Sequence, residues 1–400
     1  MQKNKGSNFP LLLLFVIPLY ATQGILLPSG PIPQSLLLMW FFMDSFYLMK
    51  FLTSKDRDGI GIIVFLFWLL NTVSWVISPK LLVCEVEIIR TFNHYKNLTI
   101  GLLTYYPFRY WIKNRIIDER YLKFFSILIF SVAILLFFHY NTIKLSQTVK
   151  DAITNNEAYL FVCIFPILYV FREKKVLWYS LVIGCLFFIL LGAKRGAIIC
   201  FASQLIIFVL FNMKDTGRRT SHIKSLFITS VIVGVLGFVG YNLLQGNEYL
   251  LMRLSDMEEG NDASGDARIF QYTAILNAFV EAPLFTKLFG HGFNQTLNIA
   301  GNYAHNDWLE LLTNQGIVGV LMYLLLFIQL LKSTKAFNGN NWRKCMFYMV
   351  LAPWFIRSLI SMGYVSMETF YFMIAIVYSK YGSQRLSVVE RKKYSLVHYG

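Results

Sequence analysis

The stretch His305–Gly319, HNDWLELLTNQGIVG, decides the fold, because it joins a long polar segment to a long apolar one. It begins with a histidine, an amide and two carboxylates: His305, Asn306, Asp307 and Glu310. From Gly319 the chain runs on as GVLMYLLLFIQLL, and with the residues before it the stretch 306–331 has the length needed to cross a hydrocarbon core of about 30 Å. Polar side chains gathered at one end of such a helix mark the outward-facing mouth of a membrane-embedded site.

Working outward, similar apolar runs recur through all 400 residues. The chain is 56% hydrophobic and 17% aromatic, only 15% charged, and its mean hydropathy is +0.52. Soluble domains carry roughly 25% charge. The runs are continuous rather than alternating, which excludes a β-barrel. The expectation is an all-α polytopic membrane protein of about 12 transmembrane helices, one integral domain over residues 1–400. The spans fall near 9–27, 32–49, 59–78, 81–107, 124–140, 156–171, 176–192, 196–211, 225–244, 306–331, 345–362 and 364–380. The first resembles a signal peptide in its Lys3 and Lys5, but its apolar part continues past Pro18 with no small-residue cleavage site. It reads as an uncleaved span.

Net charge is +15, and its distribution explains it. With the N-terminus inside, 26 of the 37 lysines and arginines fall in inside segments and 8 in outside ones. Such a bias orients helical membrane proteins and predicts cytoplasmic N- and C-termini. It also makes nucleic-acid binding the poorer account of the basic pI. The five cysteines lie mostly in apolar runs without a CxxC and read as small core hydrophobes. The sequence has no HExxH, DxD or Cys/His cluster, so neither a metal nor a cofactor is expected.

One connection is long, about 245–305, outside and net acidic. Within it Ile269, Tyr272, Ile275, Leu276 and Phe279 recur at helical spacing, too few for a span. They predict a short amphipathic helix at the outer surface, ended by Pro283. Loops this long in compact proteins are usually functional.

Ionisable groups at membrane depth are candidates for function. Lys194-Arg195, in LLGAKRGAIICF, sits between two apolar runs on the outward side, against the charge bias. Either the pair snorkels to lipid phosphates, or its guanidinium grips two anionic oxygens in a fixed fork. Arg268 opens the amphipathic helix; it either pairs with Asp266 or Asp262 or faces a ligand. His305 is either a hydrogen-bonded structural residue or a neutral base for a hydroxyl proton. Asp307 and Glu310 are rival bases, and Asp307 is also a candidate helix cap. Arg357, near the outer end of its span, either snorkels or joins the site. Glu87, Arg90 and His94 share one face of the fourth span and read best as pairing internally.

Three stretches together resemble the O-antigen ligase/polymerase family of bacterial envelope glycosyltransferases. They are LLGAKRGA; ARIFQYTAILNAFVEAPLFTKLFGHGFN, an arginine, an aromatic helix, a proline and Gly-x-Gly; and HNDWLELLTNQGIVGVL, a His-Asn pair followed by Gly-x-x-Gly. Their order, spacing and outward side match over a ligase-like core of residues 185–330. Many members carry an acid just before the first glycine of Gly-x-x-Gly, where this chain has Asn314-Gln315.

The resemblance implies a C-type glycosyltransferase-like fold with one long periplasmic loop and an inverting, metal-independent transfer from an undecaprenyl-diphosphate-linked oligosaccharide. It implies Arg195 and Arg268 on the diphosphate and His305 at the acceptor hydroxyl, as catalytic residues. Lys194, Asn306 and Arg357 then become substrate-binding. The membrane is the bacterial inner membrane, with the site periplasmic. The acceptor is a second lipid-linked repeat unit for a polymerase, or lipid A-core for a ligase. Polymerase is preferred, for the compact loop and the aromatic content. A chain-length regulator is a further candidate partner. The competing reading is a lipid-linked glycan transporter or flippase, which needs charges along a central path rather than at one face.

Overall fold

The structure, a computed structural model, describes residues 9–23, 25–27, 30–78, 85–147, 155–215, 263–337 and 341–382. The expected ninth span, 225–244, and the first part of the long loop lie outside the described residues. Every regular element among the described residues is helical. In chain order they are α1 (Phe9–Ala21), α2 (Pro31–Thr53), α3 (Gly59–Ile77), α4 (Glu85–Leu103), α5 (Tyr105–Lys113), α6 (Glu119–Gln147), α7 (Ala158–Leu168), α8 (Lys175–Leu191) and α9 (Arg195–Asp215). There follow α10 (Ala263–Glu281), α11 (Leu284–Phe289), α12 (Thr296–Ala300), α13 (Asp307–Ser333), α14 (Asn341–Ile360) and α15 (Glu368–Tyr381).

Among the described residues, four stretches are long and apolar enough to cross a membrane: Pro31–Thr53, Gly59–Ile77, Glu119–Ile143 and Asp307–Ser333. Shorter apolar helices cover Leu12–Ala21, Ala158–Phe171, Lys175–Leu191 and Arg195–Phe211. Their surfaces suit lipid. On α3, Ile62, Leu66, Leu69, Val73 and Val76 form an exposed apolar stripe, while Asn71 and Ser74 are buried. The polar residues face inward, the reverse of a surface helix in water.

The centre is formed by α7 and α15. Every residue of α7 is buried, as is α15 from Glu368 to Ser379. A helix apolar all round belongs inside a larger bundle. Phe161 and Phe188 stack at 4.8 Å between α7 and α8, and Trp354 stacks on Phe372 at 5.5 Å between α14 and α15.

Two expected spans differ in detail. The fourth is interrupted at Thr104, whose hydroxyl accepts from Trp40 Nε1 (3.1 Å) and donates to Asp44 Oδ2 (3.4 Å), and α5 follows as a separate helix. The last starts only at Glu368, because the Gly363 and Tyr364 N–H groups turn instead to the Asp307 carboxylate.

The bundle has two chemically different ends. At one, Asp58 caps α3 through Gly61 N (2.9 Å) and accepts from the Tyr105 and Tyr381 hydroxyls (2.8 and 2.7 Å) and from Arg109 Nε. Burial alone would raise the Asp58 carboxyl, but Lys380, Tyr381, Arg109 and the Gly61 N–H together hold it well below the usual carboxylate range. This knot ties the end of α15 to the α2–α3 turn. At the other end lie the start of α9, the start of α13 and the turn between α14 and α15.

Candidate functional site

The Gly-x-x-Gly stretch is not a continuous helix. Gly316 has φ 65° and ψ −160°, so α13 is broken there. A break inside a membrane helix frees carbonyls that need donors. The Gly-x-Gly stretch supplies them: His291 N donates to Thr313 O (2.8 Å) and Gly292 N to Asn314 O (3.1 Å). Ser74 Oγ from α3 also donates to Asn314 O (3.1 Å). The two backbones come so close that a Cβ on Gly290 would lie 2.3 Å from the Asn314 carbonyl carbon, and one on Gly316 2.5 Å from Leu288. The two glycine motifs are thus one crossing, and it fixes the long loop against the N-terminal part of α13.

Asn314 and Gln315, where an acid is common in the resembling family, are both buried. Asn314 Oδ1 accepts from Gln295 N (2.8 Å), and its Nδ2 donates to the Tyr364 hydroxyl (3.3 Å). Gln315 Nε2 donates to Asn71 Oδ1 (2.9 Å). Neutral amides here bind the loop, α3 and the α14–α15 turn to the break.

His305 sits just before α13 with φ 51°. A left-handed histidine costs on the order of 1–3 kcal/mol, and such strain clusters at functional sites. The flanking residues hold it in place. Asn306 is the α13 N-cap, its Oδ1 accepting from Trp308 N (3.0 Å) and Leu309 N (3.2 Å) and its Nδ2 donating to Leu359 O (3.2 Å). Ala304 N donates to Glu310 Oε1 (2.6 Å). Burial lowers the His305 imidazole below the ordinary histidine range, and the Arg268 and Lys194 charges lower it further. A neutral ring flanked by two cations is the electrostatic signature of the site.

Arg268 reaches this place on α10, which packs Ile275 against Ala300 and Ala304. The buried side of α10 is Gln271 and Ile275. Of the apolar face expected from spacing, Ile275 is buried, Tyr272 and Phe279 are half-buried, and Ile269 and Leu276 are exposed. Arg268 is exposed. Lys194 and Arg195, half-buried, begin α9, and the Lys194 carbonyl accepts from Ile198 N at 3.1 Å. Ala193, at φ 48°, makes the tight turn. Gly192 lets that turn press on α7: its carbonyl accepts from Asn155 N (2.9 Å), and a Cβ there would meet Ala158 Cβ at 2.8 Å.

Arg357 lies deeper. It is 6% exposed, its Nη2 donates to Glu368 Oε2 (3.0 Å), and its guanidinium lies 4.1 Å from the Tyr159 ring centroid. Its Nε and Nη1 find no hydrogen-bond partner among the described residues. The structure therefore gathers His305, Lys194 and Arg268, with Arg195 next in the chain, and places Arg357 beneath them with partners of its own.

Asp307 and Glu310 were expected as rival bases, with Asp307 also a candidate helix cap, a place that Asn306 takes instead. Both are fully buried, at 0% and 1% exposure. Asp307 accepts from Gly363 N (2.7 Å) and from the Tyr323 hydroxyl (2.9 Å). A carboxylate loses access to solvent without penalty only when such donors surround it, and here another turn brings them, invisible in local sequence. His94, expected to pair within its own helix, instead places Nδ1 3.4 Å from Asn294 Oδ1 in the long loop. The Glu87 side chain lies outside the described residues. Tyr159, Glu368 and His291 were missed; only the proximity of His291 to two glycines offered a signal.

Residues 180–324 match the model of a protein family described as O-Antigen ligase. The matched segment holds all three motifs and His305, Arg195 and Arg268, and ends inside α13. No curated protein matches the chain.

Proposed function

We propose, from the premise that the chain belongs to the O-antigen ligase/polymerase family through residues 180–324, that it polymerises lipid-linked oligosaccharide repeat units at the outer face of the bacterial membrane. In this reading the donor is a glycan on undecaprenyl diphosphate, and the acceptor is the hydroxyl of a second lipid-linked repeat unit. The acceptor oxygen bonds to the anomeric carbon as the bond from that carbon to the diphosphate oxygen breaks. The configuration inverts, the hydroxyl proton passes to His305, and the diphosphate leaves with its negative charge.

The observation that carries the reading is His305, held left-handed just before α13, where burial and the Arg268 and Lys194 charges lower its imidazole. An uncharged ring accepts a proton from a hydroxyl near neutral pH. Cations aimed at the departing diphosphate stabilise the charge that develops in the transition state, and we assign that work to Arg195 and Arg268 rather than to a metal. Lys194 adds charge without a planar fork. Asn306 joins through the turn it caps. Arg357, the third residue expected at the substrate, acts from below.

The orientation proposed has cytoplasmic N- and C-termini and an outward site, from the distribution of basic residues. The same chemistry directed at lipid A-core would make a ligase. Complementation separates the two: in a strain lacking its polymerase, restored long lipopolysaccharide ladders support polymerisation. Restored ligation in a ligase-null strain, without ladders in the first, overturns it. In the complementing background, Arg195→Ala, Arg268→Ala and His305→Ala should each lose activity by about 10²-fold or more while still inserting. Near-normal ladders from any one remove that residue from the mechanism.

A further inference from the structure

We propose that Tyr159, Arg357 and Glu368 form a buried bracket that sets the position of Arg195 relative to His305. This makes Arg357 a positioning residue of the transfer site rather than a ligand of its substrate. The inference rests on the reading above for what the site does, and on contacts alone for how it is held.

The contacts form a continuous path. At one end is Gly196, the residue after Arg195. A Cβ on Gly196 would lie 2.0 Å from the Tyr159 hydroxyl oxygen and 3.2 Å from its Cζ, so the first turn of α9 rests directly on that tyrosine. The tyrosine ring carries the Arg357 guanidinium on its face at 4.1 Å. Glu368, on α15, anchors the guanidinium at 3.0 Å and so fixes its plane. Against the other side of Arg357 lies Gly363, where a Cβ would meet Arg357 Cδ and Nε, each at 3.2 Å. Gly363 N in turn donates to Asp307 Oδ1 at 2.7 Å, and Asp307 is two residues from His305. Arg195 and His305 thus stand at opposite ends of one packed series of groups drawn from α9, α7, α14, the α14–α15 turn and α13.

The parts suit positioning. Arg357 is 94% removed from solvent, and its charge is answered by Glu368, so it adds little net field to an incoming diphosphate. A planar guanidinium lays a flat face on the ring while its edge pairs with the carboxylate, a fit that a compact ammonium does not reproduce. Glycines at 196 and 363 allow the contacts to be backbone-close: a Cβ at 196 would displace the Tyr159 hydroxyl, and one at 363 would crowd the Arg357 side chain. Displacement of a reacting group by about 1 Å can cost on the order of 10²-fold in rate, so a bracket of this kind acts on turnover.

The test uses the full-length protein in lipid discs with lipid-linked repeat units as donor and acceptor. Arg357→Lys keeps a positive charge opposite Glu368 but loses the flat face. Turnover is expected to fall by about tenfold or more, with the donor KM within about twofold. A donor KM raised in proportion makes Arg357 a substrate ligand and overturns the proposal, as does unchanged turnover.

The second arm is a rescue that purely structural damage does not give. Gly196→Ala places a methyl group where the Tyr159 hydroxyl lies and should impair turnover. Combining it with Tyr159→Phe removes that hydroxyl, and turnover should return to at least half that of Tyr159→Phe alone. A double variant as impaired as Gly196→Ala overturns the bracket, and so does a fully active Gly196→Ala. If Gly196→Ala does not accumulate, recovery of its level in the double variant reads the same contact. An active Arg195→Ala would sink the proposed chemistry instead, so the two failures are distinct.

Discussion

His305 combines three features that rarely meet in a structural histidine: a left-handed backbone, partial burial and two cationic neighbours. Each changes what its ring can do. The lowered imidazole stays neutral at neutral pH, and the sign of its pH dependence follows. As pH falls through the lowered value the ring gains a proton and ceases to be a base. The acid limb of the activity profile should therefore lie below the unperturbed histidine value of about 6.5. Arg268→Gln removes one of the charges that depress it, so the residual activity of that variant should show an acid limb moved toward higher pH. A profile of turnover against pH for the two proteins measures this; a limb that does not move, or moves down, removes Arg268 from contact with His305's field. At this scale the sequence was informative about residue type and uninformative about burial. His305, Lys194 and Arg268 were legible as charges on one side. The burial of Asp307 and Glu310 was not legible, because their donors, Gly363 N and Ala304 N, come from backbone whose position no side-chain pattern records.

Among elements, the crossing of α13 with the loop before it has the strictest geometry. Gly290 has φ 80° and Gly316 φ 65°, and in each a Cβ would press into the other's backbone segment. An alanine at either position meets strain of about 1–3 kcal/mol from the backbone angle, besides the overlap. Gly290→Ala and Gly316→Ala should each lower the thermal midpoint of the detergent-purified protein by several degrees and reduce transfer. Gly301→Ala, with φ 70° but open space around it, should show the strain without the overlap and so a smaller shift. Equal shifts for all three would mean that the backbone angle alone matters. The sequence marked both glycine motifs but not their contact, since 26 residues and three helix ends separate them. A pattern of glycines tells that something approaches closely; only the fold tells what.

For the molecule as a whole, the expected sidedness and the packing meet in one feature. Arg109, Lys113 and Lys380, expected inside, gather at the Asp58 end of the bundle, and Lys194, Arg268 and His305, expected outside, at the other. Single cysteines at two exposed positions test the orientation. Gly301→Cys should react with a membrane-impermeant maleimide added to whole cells with a permeabilised outer membrane. Lys55→Cys should react only after lysis. The reverse pattern would invert the topology. The described native cysteines, Cys163, Cys185, Cys200 and Cys345, are buried and should contribute little background. Hydropathy made the membrane class legible because each span states its solvent locally. The breaks at Thr104 and Gly316, and the late start of α15, were not legible, because each depends on a partner from elsewhere: Asp44 and Trp40, the 291–292 backbone, and Asp307.

The order of these parts along the chain has a consequence for biogenesis. His291 and Gly292 leave the ribosome before Thr313 and Asn314, to whose carbonyls their N–H groups will donate. Donor loop and broken helix are therefore near neighbours in time as well as in space. The backbone carbonyls freed at the interruption thus meet donors that are already synthesised, and only the side chains of Asn314 and Asp307 wait for the α14–α15 turn.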